Sequence, residues 1–161
     1  MTATAATRAG LAWLSTLRRR PPDFIIGGAD RPYMRRWYLI PKNTRFNIYL
    51  HHFRRSDDDR ALHDHPWWNV SLLLRGGYRE HMPHGVRTRY PGVPVYRRAE
   101  ASHRIDLVRD EAGIEQAVWS LFITGPKVRE WGFWCPKGWR HWRDFTNPAD
   151  DGATVGRGCN D

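Results

Sequence analysis

Cysteine is scarce in this sequence, and long hydrophobic runs are missing from it. Its 161 residues include only Cys135 and Cys159, which are too few for a disulfide framework and do not have the spacing of a CxxC motif. A reducing, cytoplasmic location therefore fits the cysteine content best. No stretch approaches the roughly 20 apolar residues that a membrane-spanning helix needs, and the mean hydropathy is −0.70. We expect a protein with no membrane partner.

Acidic side chains are absent from residues 2–20, a segment that ends in three consecutive arginines. A secretory signal peptide carries its positive charge before the apolar stretch, not behind it, although the composition also loosely resembles that of a transit peptide. Helical spacing connects four apolar residues, Leu11, Trp13, Leu14 and Leu17. Because two prolines at positions 21 and 22 would end a helix, the pattern predicts an N-terminal helical segment over residues 1–22.

Lysine is rare, so the net charge of +9 comes almost entirely from arginine. A basic chain with nine tryptophans could bind nucleic acid through phosphate contacts and base stacking. The arginines are nevertheless spread along the chain without a known nucleic-acid motif. We therefore keep a nucleic-acid-associated protein as an alternative and expect no nucleic-acid partner.

Long helices are disfavoured by eleven prolines and fourteen glycines. Seven apolar or aromatic runs of strand length follow the N-terminal segment, at residues 36–40, 45–53, 67–74, 78–81, 93–97, 103–108 and 117–124. Turn-forming residues separate these runs. Short strands at this spacing predict an all-β sandwich, barrel or jelly roll. We assign this β domain, with a tryptophan-rich C-terminal segment, to residues 23–146, and a polar, flexible tail to residues 147–161.

The sequence His63-Asp64-His65 is the strongest candidate for a chemical site. Residues two apart in a strand point to the same face, so both imidazoles can reach one ion while Asp64 faces away. His103 begins a later strand-like run and could supply a third ligand from across a barrel. An isolated HxH sequence is also compatible with ordinary hydrogen-bonded histidines.

The residues around this pair resemble the first motif of the cupin superfamily. That motif is a glycine, five residues, HxH, three or four residues, glutamate, six residues and glycine. His63, His65 and Gly76 hold these spacings, while Asn69 stands in place of the glutamate and Asp57 in place of the first glycine. The departure at Asn69 removes the carboxylate ligand that the motif would otherwise supply.

The second cupin motif is only partly present. Gly92 and His103 fall on its positions, whereas three other positions depart from it, Arg98, Glu100 and Leu107. The resemblance spans about residues 45–125 and implies a cupin-type jelly roll, also called a double-stranded β-helix, of roughly six to eight strands. It also implies that His63, His65 and His103 surround a divalent metal at the mouth of the barrel.

Without the glutamate, the implied metal ligands are three neutral imidazoles. Such centres are similar to those of thiol and gentisate-type dioxygenases among cupins, which use Fe(II), and also to Zn(II) sites that activate water. We therefore expect a non-haem Fe(II) dioxygenase, with Zn(II), Mn(II) or Ni(II) as alternative metals. The alternative function is a cupin that senses a ligand or metal without turnover, and cupins often pair, which suggests a homodimer.

Strand parity gives the candidate residues for binding a small anionic substrate. If the strand after His65 is regular, Asn69 and Arg75 face inward with the histidines. The guanidinium of Arg75 could then hold a substrate carboxylate through two parallel hydrogen bonds, and Arg98 is an alternative. Tyr78 and Glu80 share a parity on the next strand, where either could act as a proton donor or base, or the two could form a structural pair.

Two further groups of residues give weaker functional signals, a histidine pair of which one member could assist at the site and a cluster of tryptophans. His51 and His52 are adjacent in a strand, so only one of them can face the inside of the barrel. The C-terminal tryptophans, Trp131, Trp134, Trp139 and Trp142, are expected to pack over the jelly roll. A surface for stacking nucleic-acid bases or sugars is the alternative.

Overall fold

A computed structural model describes residues 20–57 and 61–160. The helix predicted over residues 1–22 lies almost entirely outside the described residues. Within them the chain forms short strands with the following bounds: β1 (Phe24–Ile26), β2 (Met34–Tyr38), β3 (Asn47–Phe53), β4 (Leu62–His63), β5 (Asn69–Arg75), β6 (Tyr78–Met82), β7 (Gly85–Arg89), β8 (Pro94–Arg97), β9 (Arg104–Leu107), β10 (Val118–Thr124), β11 (Gly132–Cys135) and β12 (Gly138–His141). A four-residue helix, α1 (Trp142–Phe145), and a 3-10 turn, Pro148–Asp150, follow them.

The strands form one large sheet and two small ones. The large sheet has the order β1-β2-β3-β10-β5-β8, and the small sheets have the orders β12-β11-β4 and β7-β6-β9. Every strand pairing within these sheets is antiparallel. This is the all-β, jelly-roll class that the sequence predicts, and each of the seven predicted runs overlaps a strand.

The core lies between the large sheet and the β7-β6-β9 sheet. Its buried side chains come from both sheets, namely Met34, Phe53, Leu73, Tyr78, Ile105, Leu107 and Val118. Alternation positions them, since buried and partly exposed residues alternate along the whole of β10, as expected for a strand with one face in the core. Each large apolar side chain that is fully buried contributes about 1.5–3 kcal/mol to the free energy of unfolding.

The segment after residue 146 is bound to the barrel, contrary to the flexible tail that its polar composition predicted. The backbone N–H of Gly27 donates to the carbonyl of Ala153 at 2.7 Å, and Thr146 forms an isolated β-bridge with Val155. Cys135 of β11 forms a disulfide with Cys159, with 5.4 Å between their Cα atoms. The cysteine content therefore no longer supports the cytoplasmic prediction, because disulfides are rare in the reducing cytosol.

None of the helices in the described ranges has the length and apolar content needed to span a membrane.

Candidate metal centre

Three histidines come together where β4 ends. His63 and His103 form an isolated antiparallel bridge, in which each backbone N–H donates to the other's carbonyl at 2.9 Å. His65 lies two residues beyond His63, and its backbone N–H donates to the carbonyl of Ala99. One ring nitrogen from each histidine lies within 4.8 Å of the other two. The structure thus places together the three residues that the sequence proposes as metal ligands.

Asp64 points away from the histidines, as the strand parity predicts. Its Oδ1 accepts a hydrogen bond from the backbone N–H of Gly132 at 2.8 Å, and its Oδ2 accepts one from Nε1 of Trp139 at 3.0 Å. Nη1 of Arg129 also lies 2.9 Å from Oδ2. Asp64 is completely buried, so these contacts balance its charge and attach the histidine segment to β11 and β12.

Glu80 orients the ring of His103 by a contact with Nδ1, while Nε2 of the same ring is directed to His65. Oε1 of Glu80 lies 2.8 Å from Nδ1 of His103, and Arg97 and Arg89 donate to the same carboxylate at 2.6 and 2.7 Å. Burial would raise the pKa of Glu80, but hydrogen bonds from His103 and Arg97 hold this pKa well below its usual range. An ionised carboxylate only accepts hydrogen bonds, so Nδ1 of His103 carries the proton and Nε2 keeps its lone pair.

The other two rings are also fixed. Nδ1 of His63 lies 4.0 Å from Oδ2 of Asp57, which accepts a hydrogen bond from the backbone N–H of Ile105 at 2.7 Å. The ring of His65 stacks on Trp67 with 5.1 Å between centroids, and its Nε2 lies 3.0 Å from Nε2 of His103. These contacts hold all three rings in one arrangement. They do not occupy every ring nitrogen of the three histidines.

The electrostatics favour neutral rings. Burial lowers the pKa of His103 to about 4, and burial together with the neighbouring His103 and His63 lowers the pKa of His65 well below its usual range. Neutral imidazole is the form that binds metals. Three clustered ring nitrogens, with one ring backed by a carboxylate, match the ligand set and outer contacts of a divalent transition-metal site.

A cavity of about 430 Å³ adjoins the histidines. Its wall is largely apolar and includes Phe53, Trp67, Phe122 and Phe133, while residues 151–155 close one side of it. Arg36, Lys42, Asp57 and Asp151 also line it. A largely apolar cavity with a few polar groups is the usual form of a small-molecule site.

The structure contradicts the inward position predicted for Arg75 and places Arg98, the alternative anion-binding residue, away from the cavity as well. Both side chains are exposed, and neither is among the described residues that line the cavity. Arg75 pairs with Trp119 while Leu73 pairs with Ser120, which leaves Leu74 as an extra residue in β5. This bulge interrupts the alternation that the prediction assumed. Arg98 lies just beyond β8, and it is its neighbour Arg97 that is buried.

Asn69, Tyr78 and Glu80 are brought together, but away from the cavity wall. All three are buried around the guanidinium of Arg97, which lies 3.5 Å from Oδ1 of Asn69 and donates to the hydroxyl of Tyr78 at 3.3 Å. None of the three is among the described residues lining the cavity. Asn69 and Tyr78 therefore do not face the cavity, and Glu80 supports the ring of His103. The sequence analysis did not single out Arg97, because nothing in the sequence around it indicates that its side chain is buried.

Only one of the adjacent histidines faces the cavity, as predicted. His51 lines it, whereas His52 stacks on Trp119 with 4.0 Å between ring centroids. Nε2 of His51 accepts a hydrogen bond from Nε of Arg36 at 2.9 Å. Sequence reasoning did not single out Arg36, and only the pairing of β2 with β3 shows that it and His51 are opposite each other.

Of the four C-terminal tryptophans, Trp131 and Trp142 are partly buried, as expected, whereas Trp134 and Trp139 are exposed. Phe145 is completely buried and stacks on Phe133 at 3.6 Å, and Trp131 stacks on Trp142 at 5.9 Å. Trp134 is 48% exposed.

Comparison with known proteins gives structural relatives only. No protein-family model matches the sequence, and no curated protein matches it significantly. The polyketide cyclase RemF from Streptomyces resistomycificus has a TM-score of 0.51 and 16% identity over 68% of this chain and 80% of RemF.

Two further structures are similar at lower scores. The DMSP lyase DddQ from Ruegeria pomeroyi has a TM-score of 0.49 and 17% identity over 69% of this chain, which spans 56% of DddQ. A cupin domain from Bordetella pertussis has a TM-score of 0.43 and 17% identity over 63% of this chain and all of that domain. The strand topology and the likeness to RemF show that this chain shares the all-β fold of that protein.

Proposed function

We propose that this protein is a metal-dependent enzyme that acts on a small anionic molecule bound in the cavity beside the three histidines. The observation that carries the proposal is the cluster of His63, His65 and His103, with ring nitrogens within 4.8 Å of one another, at the wall of a cavity of about 430 Å³. A site built only to stabilise the fold would not need an adjoining cavity of this size.

We further propose that the metal is Fe(II) and that the reaction is a dioxygenation. A bound Fe(II) ion would supply open coordination positions and the redox chemistry that reactions with O₂ require. Three imidazoles, with Asn69 in place of a glutamate and turned toward Arg97, add no negative charge to the ligand set. The choice of Fe(II) distinguishes the proposed dioxygenation from its alternatives, which are hydrolysis or isomerisation at Zn(II), Mn(II) or Ni(II).

The chain's own residues have defined parts in this proposal. Glu80 holds the proton of His103 on Nδ1 and so presents the Nε2 lone pair to the metal. Trp67 and Phe122 pack on each other at 5.9 Å beside His65, and their rings limit the water that reaches the site. Fewer water molecules strengthen the electrostatic contacts made there.

Metal analysis and oxygen uptake test this function. Protein purified anaerobically should contain near-stoichiometric iron, and O₂ consumption should follow addition of a thiol or an aromatic acid from a panel. His63→Ala, His65→Ala and His103→Ala should each weaken metal retention more than tenfold, since even outer-shell losses typically cost 10- to 100-fold. His141→Ala, which removes a ring bonded to Glu130 outside the cavity, is the control.

Two results would contradict the proposal. Metal content that is unchanged in all three alanine variants would show that these histidines do not hold the metal. A tightly retained, unmodified ligand without O₂ uptake for any compound would replace the enzyme with the alternative, a ligand-sensing cupin.

A further inference from the structure

Arg36 is a charged residue in the cavity wall that lacks a carboxylate partner. Its Nε donates to Nε2 of His51 at 2.9 Å, and its guanidinium carbon lies 4.9 Å from the centre of the Tyr49 ring. Among the residues that the structure describes, none accepts a hydrogen bond from Nη1 or Nη2 of Arg36. The two terminal nitrogens, which carry four N–H donors, therefore have no acceptor in the described part of the chain and can bind a ligand.

His51 orients this guanidinium. Because its Nε2 accepts the bond from Arg36, the proton of the neutral ring lies on Nδ1. The side chain is 2% exposed, and Nδ1 is buried with no hydrogen-bond partner among the described residues. Nδ1 is therefore not open to a ligand in the cavity, and the part of His51 is to hold the guanidinium of Arg36 in place through Nε2.

The other charged residues of the cavity wall do not neutralise the guanidinium of Arg36. Lys42 lines the cavity as well, and it is exposed. Of the two acidic residues in the wall, Asp57 accepts a hydrogen bond from the backbone of Ile105, and Asp151 is exposed. No ion pair joins either carboxylate to Arg36 in the described part of the chain. Burial also lowers the pKa of Arg36, so a bound anion would offset the cost of keeping its charge.

The wall near Arg36 continues to the metal ligands through apolar rings. His51 packs on Phe122 with 4.9 Å between ring centroids, and Phe122 lies 6.1 Å from the ring of His65. Trp67 contacts both Phe122 and His65. A molecule held at Arg36 would thus meet an aromatic surface before it reaches the histidine cluster.

We propose that Arg36, held in place by His51, binds the carboxylate of a small carboxylic acid whose apolar body packs on Phe122 and Trp67. Arg36 would bind the two oxygens through its terminal nitrogens, as guanidinium groups commonly do with carboxylates. The other end of the acid then points toward His63, His65 and His103. The assignment rests on the proposed function only for the reaction that follows binding, because Arg36 and His51 contribute no metal ligand.

A matched pair of probes tests this assignment by calorimetric titration. Phenylacetate and phenylacetamide have nearly the same shape, but only the first carries a charge. We expect phenylacetate to bind at least tenfold more tightly than phenylacetamide, both to the protein as purified and after metal removal with a chelator. This comparison in the unaltered chain does not depend on a variant that folds.

Substitutions at Arg36 then locate the charge preference. Arg36→Gln should weaken phenylacetate about 10- to 100-fold and leave phenylacetamide within about threefold, since a charged hydrogen-bond partner is lost. Arg36→Lys should lie between, because it keeps the charge and loses the planar fork. Arg35→Gln is the matched control, as Arg35 is adjacent on β2 and is not among the described residues lining the cavity.

The results separate this assignment from the proposed function. Equal affinity for the two probes, or an equal loss in Arg35→Gln and Arg36→Gln, would overturn the carboxylate site while leaving the metal content untouched. A charge preference that depends on Arg36 in a protein that retains no metal would support the carboxylate site and overturn the proposed function.

Discussion

Oε1 of Glu80 lies 2.8 Å from Nδ1 of His103, and this hydrogen bond determines which nitrogen of His103 faces His65. Glu80 is completely buried and is also bound by Arg97 and Arg89. Two guanidinium groups therefore compensate its charge, and its position follows from the packing of the strands that carry these partners. The orientation of a candidate metal ligand thus depends on a residue that does not line the cavity.

Replacing Glu80 should affect both metal binding and stability. Glu80→Gln removes the ionised acceptor from His103 and should weaken metal affinity about 10- to 100-fold. It also leaves Arg97 buried without its carboxylate, which should lower the free energy of unfolding by about 3–5 kcal/mol. Metal titration and chemical denaturation would measure the two effects. Glu115→Gln, at a partly exposed pair with Arg109, should leave metal affinity unchanged.

Local patterns in the sequence predicted part of the candidate site. The period of two along a strand was enough to place His63 and His65 on one face and Asp64 on the other. His103 required the cupin resemblance, because nothing local shows that a residue 40 positions away pairs with His63.

Long-range pairing determined what the sequence did not show. The bulge at Leu74 depends on how β5 meets β10, so parity along β5 alone misplaced Arg75. Arg35 and Arg36 are equivalent in sequence, and only the packing of β2 puts Arg36 at the cavity. The disulfide joins cysteines 24 residues apart, and their proximity follows from the fold of the C-terminal segment.

Asn69 should not become a metal ligand when it is given a carboxylate. The cupin motif would suggest that Asn69→Glu tightens metal binding, but Oδ1 of Asn69 is directed to Arg97 at 3.5 Å. The new carboxylate should instead compete with Glu80 for Arg97. We expect metal affinity that is unchanged or lower, with lower thermal stability. A clear gain in affinity for Zn(II), measured by competition with a chelating dye, would show that this side chain faces the metal.

The metal-free protein should become less stable as the pH falls from about 6.5 to about 4. The pKa of His103 is lowered by burial to about 4, whereas a histidine in an unfolded chain titrates near ~6.5. Between these values the unfolded chain binds more protons, so stability that is fully present above about pH 6.5 is progressively lost below it. His65, with its lowered pKa, acts in the same direction.

Urea denaturation at pH 7.5 and 4.5 would measure this loss. His103→Gln removes one of the titrating rings and should reduce the difference between the two pH values. Glu80 is a separate contribution, since its lowered pKa places its loss of stabilisation at lower pH than that of the histidines. A free energy of unfolding that does not change between pH 7.5 and 4.5 would contradict neutral, buried rings at the candidate metal centre.

The disulfide between Cys135 and Cys159 should stabilise the C-terminal segment that closes the cavity. It links β11 to the chain after residues 151–155, which line the cavity. A cross-link over a loop of this size contributes about 3 kcal/mol, chiefly by restricting the unfolded chain. Cys159→Ser should therefore lower the melting temperature by roughly 6–12 °C.

Reduction provides an independent measurement of the same bond. Dithiothreitol should lower the melting temperature of the unaltered protein to that of Cys159→Ser and should have no effect on that variant. Cys135→Ser should behave like Cys159→Ser, and the double substitution should add nothing further, because all three changes remove one bond. If hydrogen exchange of residues 151–155 stayed unchanged after reduction, the backbone hydrogen bonds that Gly27 and Asn147 donate to Ala153 and Thr154 would be sufficient to hold this side of the cavity without the disulfide.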